Sequence, residues 1–341
     1  MSDTLPWENS LRKDKPRLLM IVPWLTMGGA DKFNLDVLEQ LTRQGWEVTV
    51  ATTLTADHSW LPAFARLTPD IFILQHFLRP VDHPRFLRYL IQSRQVDVVL
   101  IANSELAYLL LPYLRTQCPG VAFADFCHME EEYWKNGGYP RRAVEYQELL
   151  DLNIVSSQYL QEWMVQRGAD ARSIRVCYTN IDPQRWHPDQ EQRAIVRQEL
   201  AVDDTVPVVL YAGRICRQKQ PRVFAQTMLR LSGMISSVAL VAGDGPELEW
   251  LRSFVHKHSL SDRVRLLGAV PNARIRELMM AADVFFLPSE WEGIALSIYE
   301  AMACGLPVVG ADVGGQRELV TPECGILITR SDEKTEMRHY A

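Results

Sequence analysis

Short, continuous runs of apolar residues alternate with amphipathic stretches along almost the whole chain, and no other feature of the sequence constrains the fold as much. A run without polar interruptions is typical of a parallel strand that is covered on both faces, whereas the stretches between the runs have helical periodicity. The pattern therefore predicts an α/β fold built on parallel sheets. The predicted strands are residues 18–22, 48–51, 71–74, 96–102, 121–126, 153–155, 206–212, 237–242, 264–267, 284–287, 307–310 and 325–328.

The alternation is interrupted near residues 179–188, where prolines cluster and the apolar pattern lapses. A charged helix is predicted immediately afterwards, over residues 191–200, and a second series of strands follows it. The chain has 341 residues, which is enough for two domains of about 100–200 residues each. We therefore expect two doubly wound domains, over residues 17–187 and 188–341, preceded by a flexible segment over residues 1–16.

Charge and cysteine content exclude several classes of protein. The net charge is −6, from 36 Lys and Arg against 42 Asp and Glu, so the basic surplus of a general nucleic-acid-binding protein is missing. The six cysteines include no Cys-x-x-Cys pair, which argues against a zinc site and a dense disulfide framework and favours a cytoplasmic location. We expect neither a membrane span, which needs about 18 apolar residues, nor a secretory signal.

The loop after strand 206–212 carries a glycine and several basic residues. Gly213 ends the strand, and Arg214, Arg217 and Lys219 follow it closely. Ligands of parallel sheets bind at the carboxyl ends of strands, and a forked guanidinium with a mobile ammonium suits the oxygens of a diphosphate. The loop is therefore a candidate diphosphate site, with solvated surface charge as the alternative.

The segment after strand 284–287 is the densest group of candidate residues. Gly293 marks a turn, and a helix is predicted from about Ile294 to Cys304. The backbone N–H groups of Ile294, Ala295 and Leu296 would then face an anion at the start of this helix.

Two glutamates flank this helix start, Glu292 before it and Glu300 about two turns inside it. If both were helical, their carboxylates would be about 12 Å apart, beyond the roughly 5–9.5 Å of a glycosidase acid–base pair. The layout suits an extended ligand with a central phosphate and hydroxyl-bearing groups on both sides, as in a nucleotide sugar. Taken singly, each glutamate would more often be a solvated or capping residue, and only the combination favours a ligand site.

Two further loops follow strands of the first domain. Gly28 and Gly29 follow strand 18–22 and would let backbone N–H groups approach a ligand closely, with a plain tight turn as the alternative. His128 follows strand 121–126, where its imidazole could donate to a sugar hydroxyl or a phosphate oxygen. A surface or satisfied core histidine is the alternative there.

Several motifs are missing from the sequence. There is no Gly-x-Gly-x-x-Gly fingerprint, which disfavours an NAD-dependent dehydrogenase. No two aspartates are separated by one residue, and Gly-x-Ser-x-Gly, Gly-x-x-x-x-Gly-Lys and His-Glu-x-x-His do not occur. The sequence thus predicts phosphate binding without a metal or a cofactor.

Taken together, these residues resemble those of the retaining glycosyltransferases of family 4, which have the GT-B fold. The resemblance covers most of the chain and is strongest over residues 206–328. Its most specific element is the pair Glu292 and Glu300, with seven residues between them. The other matching segments are Gly28-Gly29, Gly213-Arg214 with Lys219, Gly243-Asp-Gly-Pro246, Val264-Arg-Leu-Leu-Gly268, Ala282-Asp283 and Val313-Gly-Gly-Gln-Arg-Glu318.

The resemblance implies two Rossmann-like, doubly wound domains that face each other across a cleft, with the donor held mainly by the second. Arg214 and Lys219 would bind the diphosphate, Glu300 the ribose and Glu292 the transferred sugar, with His128 near that sugar. The expected catalytic residues are Glu292, His128, Arg214 and Lys219. The expected donor-binding residues are Gly28, Gly29, Gly213, Gly293, Ile294, Ala295, Leu296 and Glu300.

The implied reaction is the retaining transfer of a sugar of the hexose type from a UDP- or GDP-sugar to a glycan or lipid-linked saccharide. Such a reaction belongs to the biosynthesis of polysaccharides or cell-envelope glycans in the cytoplasm, without a metal. A nucleotide-sugar epimerase of the same fold and a catalytically silent nucleotide-sugar- or glycan-binding protein are the alternatives.

The sequence departs from the family pattern in three places. Glu292-Gly-Ile-Ala295 stands where family members often have Glu-Gly-Phe-Gly, and the hinge sequence Asn180-Ile-Asp182 lacks its glycine. The family usually ends with a helix that crosses back to the first domain. Since the chain stops at Ala341, we expect this final helix to be cut off.

A helix predicted over residues 83–94 carries Arg85, Arg88 and Arg94 together with apolar residues at helical spacing. Such a helix could rest on the anionic inner face of a membrane and bring a peripheral enzyme to a lipid-linked acceptor. An ordinary half-buried helix is the alternative.

Overall fold

The structure is a computed structural model and describes residues 12–179 and 181–341. Most of the predicted flexible segment 1–16 and Asn180 of the predicted hinge lie outside the described residues. Lys13, inside that segment, forms an ion pair with Asp97.

The chain divides into two compact units after Tyr178, earlier than the boundary at residue 187 that the sequence suggested. Trp186 explains the difference, because its side chain is 4% exposed and lies in a hydrophobic core of the second unit. Ile181 packs against the same core. The proline-rich stretch therefore belongs to the second unit by its packing.

The first unit contains a seven-stranded sheet in the order β3-β2-β1-β4-β5-β6-β7, and all its strand pairs are parallel. The strands are β1 (Arg17–Val22), β2 (Glu47–Thr52), β3 (Ile71–Ile73), β4 (Val98–Ala102), β5 (Ala122–Cys127), β6 (Leu152–Val155) and β7 (Ile174–Val176). The helices are α1 (Gly29–Arg43), α2 (Leu61–Ala65), α3 (His83–Ser93), α4 (Glu105–Gln117), α5 (Gly138–Glu145) and α6 (Gln158–Gln166).

The second unit contains a six-stranded parallel sheet in the order β10-β9-β8-β11-β12-β13. The strands are β8 (Val208–Ala212), β9 (Val238–Ala242), β10 (Val264–Gly268), β11 (Val284–Leu287), β12 (Val308–Asp312) and β13 (Gly325–Thr329). The helices are α7 (Gln190–Glu199), α8 (Pro221–Ser232), α9 (Leu248–Lys257), α10 (Asn272–Ala281), α11 (Leu296–Ala303) and α12 (Glu333–Tyr340).

Each predicted strand overlaps an observed one, and the predicted architecture of two doubly wound parallel α/β units is confirmed. Strand β7 was not predicted, because three residues with an arginine in the middle leave no apolar run to recognise. Strand β1 is buried along its whole length, as expected for a strand that is covered on both faces.

In both sheets the strand order reverses beside the first strand of the unit, between β1 and β4 and between β8 and β11. The loops that leave two such neighbouring strands diverge and open a crevice at the carboxyl edge, which is where open α/β sheets bind ligands. The topology thus marks one position in each unit as the place to look for a site.

A buried polar network lies inside the first sheet. Asp125, on β5, is fully buried, accepts hydrogen bonds from the Tyr108 hydroxyl at 2.8 Å and from the Asn153 amide at 2.9 Å, and also contacts the Cys127 thiol. Burial raises the pKa of Asp125 to about 6, because the hydrogen bonds compensate only in part for the lost hydration of the carboxylate.

We expect Asp125 to make the stability of the first unit depend on pH. Its pKa rises from 3.8 in the unfolded chain to about 6 in the folded one. The stabilisation is therefore complete below pH 3.8 and is lost as the pH rises through 6, a change of about 3 kcal/mol. The free energies of unfolding of wild-type protein and Asp125→Asn, measured in urea at a series of pH values, should differ by an amount that shows this change. A difference that stays constant across this range would contradict the assignment.

Candidate functional site

The loops that leave β8 and β11, on either side of the order reversal in the second unit, bring most of the predicted site residues together. Residues 213–219 follow β8, and residues 288–295 connect β11 to α11. The backbone N–H of Glu290 donates to the Gln218 carbonyl at 2.7 Å, and the Gln218 amide donates to the Trp291 carbonyl at 3.1 Å. These hydrogen bonds join the two loops side by side.

Lys219 and Glu292 form an ion pair within this pair of loops. Their side chains are 14% and 7% exposed, so water screens the interaction only weakly. The carbonyl of Lys219 also accepts a hydrogen bond from the buried Tyr211 hydroxyl at 2.9 Å, which holds the loop against β8. An ammonium and a carboxylate thus lie in direct contact at the carboxyl edge of the sheet.

The two arginines of the β8 loop have different environments. Arg214 is exposed and donates to the Gln218 side chain at 3.1 Å. Arg217 makes a forked pair with both carboxylate oxygens of Glu290 at 3.0 Å, and its guanidinium lies 5.9 Å from the ring centre of Trp291. Arg217 is therefore engaged with the neighbouring loop, as Lys219 is through Glu292.

The helix after Gly293 begins later than predicted. Helix α11 starts at Leu296, with Ala295 as its N-cap residue, so Ile294 and Ala295 precede the helix. The N–H of Ile298 donates to the Ala295 carbonyl at 2.9 Å and closes the first turn. The predicted anion site at this helix start therefore has one helical N–H, that of Leu296, among the three residues named from the sequence.

Glu300 lies inside α11 with 7% of its surface exposed. Burial, together with the negative charge of the Glu300 carboxylate, raises the pKa of the Cys304 thiol to about 11. Glu292 lies outside the helix. The separation of about 12 Å inferred for the two carboxylates assumed that both were helical, so it does not apply.

Close backbone contacts hold the loop that carries Glu292. Gly314, after β12, has a φ of +55°, and a Cβ atom there would lie 1.8 Å from the Glu292 carbonyl oxygen. The N–H of Gly315 donates to the Gly293 carbonyl at 2.8 Å. A glycine is therefore required at position 314 for the loops after β11 and β12 to pack together.

A similar contact holds Gly213. A Cβ atom at Gly243, whose φ is +153°, would lie 1.8 Å from the Gly213 carbonyl oxygen. In the sequence Gly243 was named only within a segment that matches the family pattern, whereas in the structure it lets the loops after β8 and β9 touch.

In the first unit, Gly28 is the N-cap residue of α1 and has an extended φ of −172°. A Cβ atom at Gly29 would meet nothing within 4 Å, so packing does not require glycine there. The space beside the start of the helix is compatible with the close approach of a ligand.

Asp31 lies in the first turn of α1 and is 8% exposed. Burial raises its pKa to about 7, although backbone N–H groups of Thr26 and Asp31 itself partly offset this effect. The carboxyl group therefore exchanges its proton near neutral pH, right beside Gly28 and Gly29.

His128 follows β5 and packs between aromatic rings, 5.1 Å from Phe33 and 4.7 Å from Phe126 between ring centres. Its carbonyl accepts a hydrogen bond from the Ser156 hydroxyl at 2.5 Å. Burial lowers the pKa of the imidazole to about 4, so the ring is neutral at pH 7. Its Nε2 atom is buried and has no hydrogen-bond partner among residues 12–179 and 181–341.

Helix α3 does not present the basic face that the sequence suggested. Arg88 is 7% exposed and donates to Gln117 at 3.0 Å, and Arg94 pairs with Asp70. Arg85 is the exposed one of the three arginines.

Two residues that shape these sites, Gln218 and Asp31, escaped the sequence reasoning, and Gly314 was named only within a segment that matches the family pattern. Gln218, which joins the β8 and β11 loops, belongs to no recognisable pattern. The Gly-Gly pair containing Gly314 follows a predicted strand and could have been recognised as a close backbone contact. Asp31 is a common acidic residue at a helix start, and its burial was not readable from the sequence.

Within the part of the chain that the structure describes, no group of three or more His, Cys, Asp or Glu side chains is arranged to hold a metal ion. The helices in that part are too short or too polar to cross a membrane.

Two family models match the chain. The one described as "Glycosyltransferase Family 4" matches residues 27–185, and the one described as "Glycosyl transferases group 1" matches residues 192–337. The matches fall on the first and the second unit.

Two named relatives are similar to parts of the chain. The D-inositol 3-phosphate glycosyltransferase of Xylanimonas cellulosilytica is 33% identical over 172 residues, which is 48% of this chain and 41% of the relative. The 2-deoxystreptamine N-acetyl-D-glucosaminyltransferase of Streptomyces fradiae is 38% identical over 141 residues, 40% of this chain and 33% of the relative. The chain thus spans less than half the length of these relatives.

The fold has a close counterpart in the crystal structure of Anabaena Alr3699/HepE in complex with UDP. The TM-score is 0.80 at 21% sequence identity, over 95% of this chain and 88% of that chain. At this level of identity the similarity concerns the fold.

We expect alanine to have opposite effects at two of the glycines. Gly314→Ala should destabilise the second unit by at least about 1–2 kcal/mol, because alanine disfavours a positive φ and its Cβ would strike the Glu292 carbonyl. Gly29→Ala should leave the thermal unfolding midpoint unchanged or slightly raised, because its Cβ meets open space on a helix. Differential scanning calorimetry checks both variants, and equal midpoints would show that the Gly314 contact is dispensable.

Proposed function

Because the chain belongs to glycosyltransferase family 4 and has the GT-B fold, we propose that it transfers a sugar from a nucleotide donor to a glycan or lipid-linked saccharide, with retention of anomeric configuration. The observation that carries this proposal is the Lys219–Glu292 pair at the strand-order reversal of the second sheet, next to the start of α11. It offers a cation to phosphates and a carboxylate to sugar hydroxyls within one loop pair.

The basic residues act on the leaving group. As the bond between the anomeric carbon and the phosphate oxygen breaks, negative charge develops on the nucleoside diphosphate. Lys219 and the exposed guanidinium of Arg214 lie on the β8 loop, where they would stabilise that charge. The N–H of Leu296 would approach the same phosphates. Gly213, at the end of β8, would only leave room for them, because its own N–H donates to the Ala242 carbonyl at 3.0 Å.

The carboxylates act on the two sugars of the donor. Glu292 would accept hydrogen bonds from hydroxyls of the transferred sugar, and Glu300 from those of the ribose. Both side chains are more than nine-tenths buried, so water competes little with a sugar hydroxyl for their oxygens. The backbone around Gly293, Ile294 and Ala295 would line the path between them.

The first unit carries candidate residues of its own. The neutral imidazole of His128 has an Nε2 atom without a partner among the described residues, and that atom suits a hydroxyl of the transferred sugar. Gly28 and Gly29 leave room for a donor phosphate beside α1. The acceptor hydroxyl attacks the oxocarbenium-like sugar, and its proton passes to a phosphate oxygen of the leaving diphosphate.

We further propose that the reaction needs no metal and no organic cofactor, because two basic side chains and helix N–H groups supply the positive charge. A UDP-sugar is the favoured donor, with a GDP-sugar as the alternative. This preference is supported by the UDP complex of the Anabaena neighbour, whose fold is similar. The expected setting is the biosynthesis of polysaccharides or cell-envelope glycans in the cytoplasm.

We also propose a peripheral membrane contact. Its surface differs from the basic helix face that the sequence predicted. Phe77 and Val81, just before α3, are 52% and 72% exposed, and Tyr89 on α3 is 39% exposed. Phe86 joins Phe77 and Tyr89 with ring centres 5.3 Å and 6.0 Å away. Together with the exposed Arg85, this aromatic patch combines apolar area with positive charge, as interfacial surfaces do.

The experiment that tests the function is a thermal-shift panel of UDP, GDP, ADP, dTDP and their sugars, in the presence and absence of EDTA. We expect one nucleoside diphosphate and its sugar to raise the unfolding midpoint, equally with and without EDTA. Incubation of that donor with saccharide acceptors should then give a glycoside of unchanged anomeric configuration. Conversion of the donor without any acceptor would identify an epimerase instead, and binding without turnover a silent binding protein.

Replacing Glu292 by alanine should reduce transfer at least about 100-fold while donor binding is retained, because the carboxylate contacts the transferred sugar and not the nucleotide. Initial rates with saturating donor measure the loss, and the midpoint shift with the diphosphate measures the binding. Unchanged activity in this variant would overturn the site assignment.

The aromatic patch is tested by co-sedimentation with anionic vesicles. The double variant Phe77→Ser, Val81→Ser and the single variant Arg85→Glu should each bind less than wild-type protein, since one loses apolar area and the other positive charge. Ile326→Ser is the matched control, because Ile326 is 61% exposed on β13 of the other unit. If both patch variants bind the vesicles as well as wild-type protein does, the proposed membrane contact is wrong.

A further inference from the structure

The Lys219–Glu292 pair joins two charges to which the proposed function assigns different parts of the donor. Lys219 should hold the diphosphate and Glu292 the transferred sugar, yet the structure pairs them with each other. Both side chains are largely shielded from water. A ligand that binds either of these charges must therefore compete with the ion pair.

The backbones on both sides of the pair are fixed by contacts that do not involve it. The Gln218 carbonyl accepts from the Glu290 N–H at 2.7 Å, and the Gly293 carbonyl accepts from the Gly315 N–H at 2.8 Å. If the ion pair opens, the loops remain in place and only the side chains of Lys219 and Glu292 need to rotate. The change required of the protein is small.

A diphosphate brings at least two negative charges to the position of the ammonium. With Glu292 still bound to Lys219, the carboxylate and the phosphates would be like charges in contact in a poorly hydrated place, which is strongly unfavourable. Lys219 therefore pairs favourably with one of the two anions at a time.

We propose that Glu292 is an exchangeable counter-ion of Lys219. The diphosphate displaces the carboxylate, and the displaced Glu292 becomes available to the sugar hydroxyls. This inference rests on the proposed function, because it takes a nucleoside diphosphate as the ligand. It makes Glu292 a competitor of the nucleotide as well as a ligand of the sugar, and donor binding sets the carboxylate free in the same step.

A double-mutant cycle tests the exchange. The affinity of UDP, or of the diphosphate that binds wild-type protein best, is measured by calorimetry for wild type, Glu292→Gln, Lys219→Met and the double variant. Glutamine no longer neutralises Lys219, so Glu292→Gln should bind the diphosphate about fivefold tighter or more. In the Lys219→Met background the same change should alter affinity less than about twofold, because no cation is left to compete for.

Glu290→Gln is the matched control. It removes the same charge two residues away, from a carboxylate that pairs with Arg217, whose side chain is 77% exposed, and that also accepts a hydrogen bond from the Gln220 amide at 2.9 Å. We expect its effect on diphosphate affinity to be smaller than that of Glu292→Gln. Thermal midpoints establish that each variant folds, and Glu292→Ala replaces the glutamine variant if the latter does not.

Two results would overturn the exchange. If Glu292 acted only by repelling phosphate through space, Glu292→Gln would tighten binding equally with and without Lys219. If Glu292→Gln bound the diphosphate no tighter than wild type, there would be no competition. In the second case the proposed function survives as long as wild-type protein binds the diphosphate and Lys219→Met weakens it. If wild-type protein binds no diphosphate, the proposed function and the exchange both fail.

Discussion

All strand pairs in the two sheets are parallel, and this arrangement determines where chemistry can take place. Parallel strands need a crossover between them, so their carboxyl ends share one edge, and loops from distant parts of the sequence meet there. Lys219 on the β8 loop and Glu292 on the β11 loop are 73 residues apart in the sequence, yet they lie side by side. The ion pair is a direct result of the strand order.

Two glycine contacts then determine how closely the loops can approach. Gly314 brings the loop after β12 against Glu292, and Gly243 brings the loop after β9 against Gly213. At each of these glycines two loop backbones touch where a side chain would not fit. The functional side chains are therefore carried by loops whose backbones support one another. Because these contacts hold the loop backbones, the proposed charge exchange between Lys219 and Glu292 requires only side-chain rotation.

In the first unit, burial determines the pKa values of three ionisable groups. Asp125, Asp31 and His128 are all shielded from water, which raises the pKa of the two acids and lowers that of the histidine. Asp125 is inside the sheet and belongs to the fold, whereas Asp31 and His128 are at its carboxyl edge. Burial therefore shifts the pKa of ionisable groups both inside the sheet and at its carboxyl edge.

The sequence by itself determined the α/β class, the two series of strands and the loops that carry Gly213, Lys219 and Glu292, because continuous apolar runs and glycine turns are local patterns. It misplaced the start of α11 by two residues, since Ile294 and Ala295 are compatible with a helix, and it did not reveal that Trp186 packs with the second unit. Only the tertiary structure determined which side chains pair with one another. Arg217 belongs to Glu290, Arg88 to Gln117 and Lys219 to Glu292, because a charged side chain finds its partner through the strand order and burial, which a linear sequence does not contain.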